Sequence, residues 1–590
     1  SRGLGDVYKR QNPPLMRPIT EWMGIIRPTQ LLCESFDVVI MNPPFTRRER
    51  LSEIGEIERL EKILCEKPLS NAIRGKTGYW AYFMAASDNV IKLNGKIAMV
   101  TPEEFFAGGS AESIRRFLFL GELYDPQRKV YTKQLDRVYR VKYIIKSSKE
   151  VAFSEAAKYR DYLLLLSKTA RDSKSDNYAV FVILKKRLKE IEEGERDIAI
   201  AIREFSKSPL NKILTEEFDA IKLFNFEKLI KRHIRNLKPL VGLFSINAQE
   251  LLLELLDTLS EHPTLRDLEK EGYLTMRYYN PGQYTKECKG VAESEARKLF
   301  ATRYKARGKC IFKILREDKD KVTFETLDGS KKFLLSKEHL IKSLRTYSNV
   351  KHIDISGEEE YAIIKPLEIP IDVRSITGLF DTVKLRLAAN DIKQAYDRIA
   401  GNLLLVRKLQ IPSPNIYWLV YWSNEPVLGT TDRINVRIKE TWLSKLLALY
   451  LNSSITLLQL LGFHIETRGA WIRLDKDGVW SEIHVPYFNL DKEIVMQGLM
   501  LFNKIGKADV KVLSERIKKR DPVQRELDLF ALKLLGLENW RGKLYEIYES
   551  ISDELNIMLE ILKFSRKENK KIKRRKEIKR ETQESIERFL

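Results

Sequence analysis

The sequence predicts an α/β fold for the first part of the chain, and three observations carry that prediction. Residues 38–41 form a short apolar run with β-branched side chains, which is typical of a buried parallel strand, and two prolines end it at once. A helical segment runs from residue 79 towards residue 93, where an Asn-Gly pair ends it. Residues 96–100 are a second short apolar strand that stops at a Thr-Pro pair. This alternation predicts a sheet with parallel strands and crossover helices.

The first strand leaves an amide side chain at its C-terminal end. Residues 36–45 are Phe-Asp-Val-Val-Ile-Met-Asn-Pro-Pro-Phe, and ligands of open α/β sheets bind outside the carboxyl ends of the strands. The stretch resembles the catalytic motif of the amino-methylating DNA methyltransferases, whose N6-adenine branch carries Asn or Asp, two prolines, and then Tyr or Phe. The alternative is a strand that ends in a turn, since Asn-Pro commonly opens turns.

The chemistry of that family gives each motif residue a role. An exocyclic amine is a poor nucleophile because its lone pair is delocalised into the ring, so an enzyme must accept hydrogen bonds from it and hold it in line with the methyl donor. The resemblance implies that the Asn42 side-chain oxygen and the Pro43 carbonyl are the acceptors, while Pro43 and Pro44 fix the backbone. Phe45 then offers a flat face to a base swung out of the duplex.

The chain contains a second Asn-Pro-Pro sequence at residues 12–14, which provides an internal comparison. A polar stretch precedes this copy, and Leu15 follows it without a ring for a base. We interpret it as a turn.

The resemblance extends past the motif, because helix, Asn-Gly, strand and Thr-Pro follow it in the same order in adenine methylases. By position, Phe83 resembles an aromatic residue that packs beside the methyl donor, and Phe153 resembles one that stacks on the extruded base, facing Phe45. Arg47 and Arg48 lie where the family's loop borders DNA phosphates. Three alternatives stay open: Phe83 as a core residue of an amphipathic helix, Phe153 as the anchor of a hairpin loop, and the arginines as a solvated helix start.

The resemblance implies S-adenosyl-L-methionine as the cofactor. Such methyltransferases bind it with a Gly-rich strand-to-helix turn and an acidic residue at the end of the next strand, and in the order followed here both precede the motif. Only 41 residues stand before Asn42, and no Phe-x-Gly-x-Gly or equivalent lies among them. We therefore expect the chain to be the C-terminal part of a longer protein, with the main cofactor site absent from this chain. A nuclease or specificity module could lie on the missing part or on a partner chain.

At 590 residues the chain is long enough for several domains. We divide it where the residue pattern changes. The predicted regions are 1–11, a non-native leader; 12–170, the C-terminal part of a methyltransferase catalytic domain; 171–305, a helical spacer; 306–490, an α+β target-recognition region; and 491–590, a helical basic C-terminal region.

The last three regions rest on their periodicity. Amphipathic runs at 178–192 and 218–230 predict helices of the spacer. Residues 308–335 predict an antiparallel meander, and residues 442–462 predict one helix. Residues 563–580 contain 11 Lys or Arg against two Glu, a density suited to phosphates, or alternatively to a solvated tail.

A helix containing Leu-Asn-Ser-Ser, followed by Gly-aromatic-basic strands, resembles the target-recognition regions of type I and type IIG modification enzymes. The resemblance implies DNA contacts for Arg468, Trp471 and Arg473, since Arg reads guanine edges and Trp can stack or wedge. Alternatively, Trp471 fills a core.

Composition agrees with a DNA-binding protein and argues against two other site classes. Lys and Arg number 104 against 82 Asp and Glu, a net charge of +22, which favours nucleic acid although an ordinary basic protein has the same excess. The four cysteines lie far apart without a CxxC pair, and the six histidines lack ligand spacing, so we predict no disulfide framework and no metal site, with reduced thiols in a cytoplasm. The longest apolar stretch, 442–463, is interrupted by polar residues and suits a core helix better than a membrane span.

Together these expectations describe an α/β protein: a partial Rossmann-like methyltransferase domain followed by a helical spacer, a mixed α+β target-recognition region and a helical C-terminus. The expected activity is S-adenosyl-L-methionine-dependent methylation of adenine N6 in a specific duplex DNA sequence, within a restriction-modification or related defence system. The alternatives are an RNA or protein-glutamine methyltransferase, because these also use Asn-Pro-Pro-Tyr, and a non-catalytic DNA-binding or specificity component.

Overall fold

The computed structural model describes residues 36–45, 71–74, 77–148, 160–173, 178–186, 195–288, 293–301, 312–377, 379, 382–409, 413, 415–467, 471–561 and 563. The fold is mixed α/β, and the chain divides into two compact units, Ser1–Leu237 and Lys238–Leu590. The functional division at residues 170, 305 and 490 stays a prediction.

A mixed sheet of seven strands forms the centre of the first unit. The strands in chain order are β1 (Phe36–Met41), β2 (Ile91–Pro102), β3 (Glu122–Asp125), β4 (Val130–Lys133), β5 (Arg137–Ser147), β6 (Asp161–Ala170), β7 (Tyr178–Leu184), β8 (Lys212–Leu214) and β9 (Phe218–Phe224). The sheet order is β1-β2-β6-β5-β7-β9-β8, with β3 and β4 paired separately. β1 is parallel to β2 and β5 is parallel to β7, whereas the other neighbours are antiparallel.

Helices cover both faces of this sheet. They are α1 (Tyr79–Val90), α2 (Glu104–Ala107), α3 (Glu112–Leu120), α4 (Glu195–Lys207) and α5 (Phe226–His233). On one face, the Trp80 and Phe105 rings meet edge to face at 5.8 Å, and both are buried. On the other face, α4 packs Ile198 and Phe205 with Val180 of β7 into a single core cluster. The second face is closed over β7 and β9 but open towards β1, where Ile40 is 79% exposed.

The predicted strands at β1, β2, β5 and β6 are confirmed, but the end of α1 is not where the sequence placed it. α1 ends at Val90, and β2 begins at the next residue. Asn94 has a left-handed φ of 68° and lies where the β1–β2 register shifts. The Asn-Gly pair therefore forms an irregularity inside the strand instead of ending the helix, which is consistent with the tolerance of Asn for this conformation.

The helices predicted at 178–192 and 218–230 are wrong over their first halves. Residues Tyr178–Leu184 and Phe218–Phe224 are strands that pair along their whole lengths. β7 is almost entirely buried, so its apolar residues face both layers of the unit. A short continuous apolar run fits a buried strand as well as a buried helix, and here its aromatic and β-branched residues favour the strand.

Asp88, near the end of α1, is the centre of a buried ionic cluster. Its carboxylate accepts hydrogen bonds from Arg137 Nε at 2.9 Å and from the Tyr139 hydroxyl at 2.8 Å. The buried Lys168 ammonium donates to the backbone carbonyls of Asp88 and Ile91 at 2.9 and 3.0 Å. Burial acts to raise the pKa of Asp88, but Arg137, Lys168 and Tyr139 outweigh it and hold the pKa below its ordinary value. The cluster joins α1 to β5 and β6.

We predict that Asp88→Ala lowers the free energy of unfolding of the first unit by about 3 kcal/mol or more, because it leaves the Lys168 charge buried without its carboxylate. Native-state hydrogen exchange of β6 amides under denaturant measures this change. The control is Glu204→Ala, which removes an exposed ion pair with Lys207 and is expected to cost less than about 1 kcal/mol. Equal effects of the two substitutions would contradict the role of the cluster.

A second sheet of seven strands organises the second unit, in the order β10-β20-β17-β19-β15-β16-β11. Two three-stranded sheets, β12-β13-β14 and β18-β22-β21, accompany it. The strands are β10 (Leu274–Arg277), β11 (Phe300–Ala301), β12 (Phe312–Glu317), β13 (Lys321–Thr326), β14 (Lys332–Ser336), β15 (Leu340–Leu344), β16 (Glu360–Ile363), β17 (Gly401–Val406), β18 (Lys408–Leu409), β19 (Val420–Gly429), β20 (Arg433–Ile438), β21 (Ile465–Thr467) and β22 (Trp471–Arg473). The predicted meander is confirmed as β12-β13-β14.

Helices pack around these strands and dominate the C-terminal part of the unit. They are α6 (Ile246–Thr258), α7 (Leu265–Lys270), α8 (Glu293–Lys298), α9 (Ile371–Thr377), α10 (Val383–Ile399), α11 (Thr441–Leu451), α12 (Ser454–Phe463), α13 (Lys492–Ile505), α14 (Leu513–Lys518), α15 (Pro522–Leu534) and α16 (544–561). One continuous core contains residues from α6, α11, α12, α15 and α16.

The single helix predicted over 442–462 is wrong, because the chain bends by 69° between α11 and α12. Asn452 at the break accepts from the backbone amides of Leu419 and Val420 at 2.8 and 3.1 Å. Its amide nitrogen donates to the carbonyls of Val420 and Ala448, both at 2.9 Å. Ser453 then caps α12 by accepting from Thr456 N. A side chain that satisfies strand and helix together replaces the missing helical bonds.

Among the described residues, no single helix is long and apolar enough to cross a membrane, and only the bent pair α11–α12 passes a test of length and composition. The residues of that pair are mostly buried in the core of the second unit.

Asp528 of α15 is fully buried against the break. Its carboxylate accepts from Ser454 N and from the Ser454 hydroxyl, both at 2.7 Å. The Tyr548 hydroxyl donates to it at 2.8 Å, and Gln524 Nε2 at 3.1 Å. Burial nevertheless dominates and raises the pKa of Asp528 to about 6.

The raised pKa predicts a pH dependence of stability. Between the ordinary pKa of 3.8 and about 6, the folded state binds more protons at Asp528 than the unfolded state, so the contribution of this group is greatest below pH 4 and falls as the pH rises through 6. Asp528→Asn cannot titrate. We predict that the stability of the wild type relative to Asp528→Asn decreases between pH 4 and pH 7 in denaturant titrations. A difference that stays constant or rises over this range would contradict the assignment.

Candidate active site

Pairing between β1 and β2 fixes where the Asn-Pro-Pro-Phe motif lies. Val39, Ile40 and Met41 pair in parallel with Ile97, Ala98 and Met99. The motif follows directly after the last paired residue of β1, beside the final residues of β2. It therefore occupies the C-terminal end of two adjacent parallel strands, the edge at which open α/β sheets bind ligands.

The four motif residues differ in exposure. Asn42 and Pro44 are exposed, Pro43 is buried and Phe45 is half-buried. Because Asn42 and Pro43 each precede a proline, both are confined to extended conformations. The arrangement leaves the amide of Asn42 accessible to a ligand, while the buried Pro43 ring anchors the backbone beside it.

The start of β6 reaches the same edge of the sheet. Thr101 and Pro102 of β2 pair with Tyr162 and Asp161 of β6, and the Thr101 hydroxyl donates to the Tyr162 carbonyl at 3.3 Å. Two interstrand spacings separate β1 from β6, which corresponds to about 10 Å. The chain that enters β6 thus passes within reach of a molecule of nucleobase size bound at Asn42.

Charged side chains are buried at this edge. Glu103, Lys146, Arg160 and Asp161 are each at most 2% exposed. Arg160 Nη1 donates to the Ser147 carbonyl at 2.5 Å and so joins the end of β5 to the start of β6. The Arg160 carbonyl accepts from Glu103 N at 2.9 Å. Buried charges are retained where hydrogen bonds hold them, so this cluster fixes the strand ends around the motif.

The sequence analysis did not identify this cluster. A signal was present, since each of the four residues lies at the end of an apolar strand, where the hydrophobic pattern stops. Charges at strand ends are usually solvated, however, and only the three-dimensional pairing shows that these are enclosed.

The expectation of a buried first strand is wrong. Phe36, Val38 and Ile40 are 45, 54 and 79% exposed. These alternate residues share one face, as the period of two in a strand requires. Among the described strands, β1 pairs with β2 and lies at the edge of the sheet. Its apolar composition suits a central strand, but its position in the described part of the chain is peripheral.

Phe83, the residue expected beside the methyl donor, lies on α1 and is half-buried. Its ring centroid is 5.3 Å from that of Tyr79 at a tilt of 46°. The contact leaves part of the ring accessible. Its role beside a cofactor stays a prediction.

Other expected site residues lie outside the described part of the chain. These are Arg47, Arg48, Phe153 and Arg468, together with nearly all of the basic stretch 563–580. Their roles stay predictions.

The two remaining residues of the expected DNA-facing set lie on β22. The structure describes the backbone of Trp471, which pairs with Thr467. Arg473 is partly exposed and donates through Nη2 to Asp475. Asp475 also accepts from Arg407 Nε at 2.9 Å. A DNA contact by Arg473 stays a prediction.

Within the described ranges, no group of three or more His, Cys, Asp or Glu side chains is arranged to hold a metal ion.

Comparison with protein families gives one match around the motif. Residues 21–124 match the family described as Eco57I restriction-modification methylase. The comparison with curated proteins gives no match.

Solved structures of restriction-modification enzymes are similar to the chain at low identity. The type IIG restriction endonuclease BpuSI is 15% identical, with a TM-score of 0.37 over 90% of this chain and 54% of its own. The type IIL enzyme MmeI in complex with DNA is 10% identical, with a TM-score of 0.39 over 89% of this chain and 57% of its own. A type I methyltransferase subunit from Streptococcus thermophilus is 17% identical, with a TM-score of 0.22 over 34% of this chain and 37% of its own.

The chain thus spans little more than half the length of the first two enzymes. The segment that contains Asn42–Phe45 is similar to a restriction-modification methylase domain.

Proposed function

We propose that the chain is the acceptor-binding and target-binding part of an S-adenosyl-L-methionine-dependent DNA methyltransferase that modifies adenine N6 in a specific duplex sequence. The observation that carries the proposal is the exposed amide of Asn42, followed by the buried Pro43, at the C-terminal end of paired parallel strands. The family match over residues 21–124 supports the same reaction class.

The chain's own residues act on the acceptor amine. The Asn42 Oδ1 and Pro43 carbonyl oxygens accept hydrogen bonds from the amino group, which localises its lone pair on nitrogen and aims it at the donor. Nitrogen forms a bond to the methyl carbon while the carbon–sulfur bond breaks, and the amine then loses a proton. Both prolines keep the acceptors from rotating away, so the geometry does not have to be ordered during the reaction.

Phe45 supplies the surface for the extruded base. It is half-buried, so part of its ring is supported by the protein and part remains available for stacking. Such stacking offsets some of the unstacking cost, which is about a few kcal/mol. We propose Phe153 as the second stacking residue.

The described residues fit one side of the cofactor. S-adenosyl-L-methionine supplies an electrophilic methyl group when it is bound. Phe83, half-buried against Tyr79, fits an apolar contact with it. We propose that the main cofactor site lies on strands that pair with the open edge of β1, and the exposed apolar face of β1 supports this proposal because such strands are normally covered.

We propose the remaining roles from the sequence. Arg47 and Arg48 contact phosphates beside the target base, and Arg468, Trp471 and Arg473 contact DNA from a target-recognition region within 306–490. The protein would act in the cytoplasm in a restriction-modification or related defence system, together with a nuclease or specificity module.

Transfer of a tritiated methyl group from the cofactor tests the reaction class. The native gene product that contains the chain is offered duplex DNA, structured RNA and denatured protein in separate reactions. Label in duplex DNA that digests to N6-methyladenosine supports the proposal. Label in RNA or glutamine, or DNA binding without transfer, would replace it with one of the alternatives.

Asn42→Ala is predicted to lower methyl transfer by about 100- to 1,000-fold, because it removes one polar contact to the reacting amine. DNA affinity is expected to change little. Asn12→Ala provides the matched control, since Asn12 also precedes two prolines but is expected to leave transfer unchanged. Unchanged turnover in Asn42→Ala, or an equal loss in Asn12→Ala, would remove Asn42 from the site.

A further inference from the structure

A rigid, exposed turn follows β10 in the second unit. Asn280-Pro281-Gly282-Gln283 closes with a hydrogen bond from Gln283 N to the Asn280 carbonyl at 3.2 Å. Gly282 has a φ of +81°. Proline at the second position and glycine with positive φ at the third are the requirements of a type II turn. The local sequence therefore sets the shape of this turn.

A buried carboxylate fixes the turn from behind. Asp391 of α10 is 1% exposed. It accepts from the backbone amides of Gly282 at 3.0 Å, Tyr284 at 2.9 Å and Thr285 at 3.2 Å. Three amide bonds to one ionised side chain are stronger than neutral bonds. An exposed loop held in this way is pre-organised, so it loses little conformational freedom when it binds.

The turn presents two amide side chains to solvent. Asn280 and Gln283 are exposed, and Asn280 Nδ2 lies 3.4 Å from Gln283 Oε1. Side-chain amides carry both donors and acceptors. This is the pattern that matches the N6 donor and N7 acceptor of adenine in the major groove.

Exposed cations flank the turn. Arg277 ends β10, Lys286 follows the turn, and Arg398 lies two helical turns beyond Asp391 on the same side of α10. Arg277 and Arg398 are close enough to Tyr284 to oppose the rise in its pKa that burial and Asp391 cause. Arg277 also donates to Glu269 at 2.9 Å. Cations on both sides of an amide pair suit phosphates on both sides of a base edge.

We propose that the turn 280–283 reads base edges of duplex DNA through Asn280 and Gln283, while Arg398 and Lys286 contact the neighbouring phosphates. The inference rests on the proposed function for the identity of the partner. It assigns sequence selectivity to residues before the region 306–490 that the sequence had indicated. Asp391 is then a positioning residue, because it acts through the turn backbone.

Enrichment of bound duplexes from a randomised pool tests the assignment with the native gene product. The double variant Asn280→Ala, Gln283→Ala is expected to lose about tenfold or more of its discrimination at one or two positions of the enriched sequence. Its binding to unrelated duplexes should stay unchanged. Asn424→Ala is the matched control, since Asn424 is an exposed asparagine of β19 and should leave the enriched sequence as it is.

Two single variants separate phosphate contact from positioning. Arg398→Ala is expected to weaken binding to all duplexes equally and to reduce the slope of log K against log salt by about 1. Asp391→Asn is expected to lower discrimination in the same direction as the double variant, with its salt slope unchanged. A general loss of stability would instead reduce the active fraction and leave the enriched sequence intact.

The results also distinguish this inference from the proposed function. Methyl transfer with an enriched sequence that the double variant does not alter would overturn the reading role and leave the proposed function standing. Selective binding that the double variant relaxes, without methyl transfer, would support the turn and overturn the proposed function. Absence of any sequence-selective binding to DNA, or selective binding to RNA or protein instead, would overturn the inference.

Discussion

The parallel pairing of β1 with β2 is the interaction on which the candidate site depends. Asn42 follows the last paired residue of β1, so the register of that pair decides which face of the sheet the amide leaves from. A slip by one residue would reverse every side chain of the strand. β2 is in turn paired with β6 through seven residues, and Lys168 fixes its start through the Ile91 carbonyl. The geometry at the edge is therefore inherited from the interior.

Buried polar side chains serve a common purpose in both units, because each holds a segment of irregular backbone. Arg115 donates to the carbonyls of Ile234 and Phe105 at 2.8 and 2.7 Å, and burial lowers its pKa to about 9. Asn452 performs this task at the break between α11 and α12, and Asp391 performs it at the turn after β10. Backbone that leaves regular structure inside a protein needs such partners. The functional candidates adjoin segments of this kind.

Much of the first unit could be predicted because its signals are local. The apolar run before Asn42, the strand that ends at Pro102 and the meander of the second unit each follow from residues close in sequence. The strand β7 was mistaken for a helix because a continuous apolar run lacks the alternation that distinguishes the two. The exposure of Ile40 could not be predicted, since burial depends on neighbours from elsewhere in the chain. Asp391 was also missed, because the amides it holds lie more than 100 residues before it.

The open edge of β1 has a consequence for handling the protein. A strand that presents unpaired backbone together with Phe36, Val38 and Ile40 is a template for strands of other molecules. Self-association through this edge would grow with concentration and would cover Asn42, which ends the same strand. Solubility and accessibility of the reactive corner are therefore properties of one surface, and a preparation that aggregates by this route loses both together.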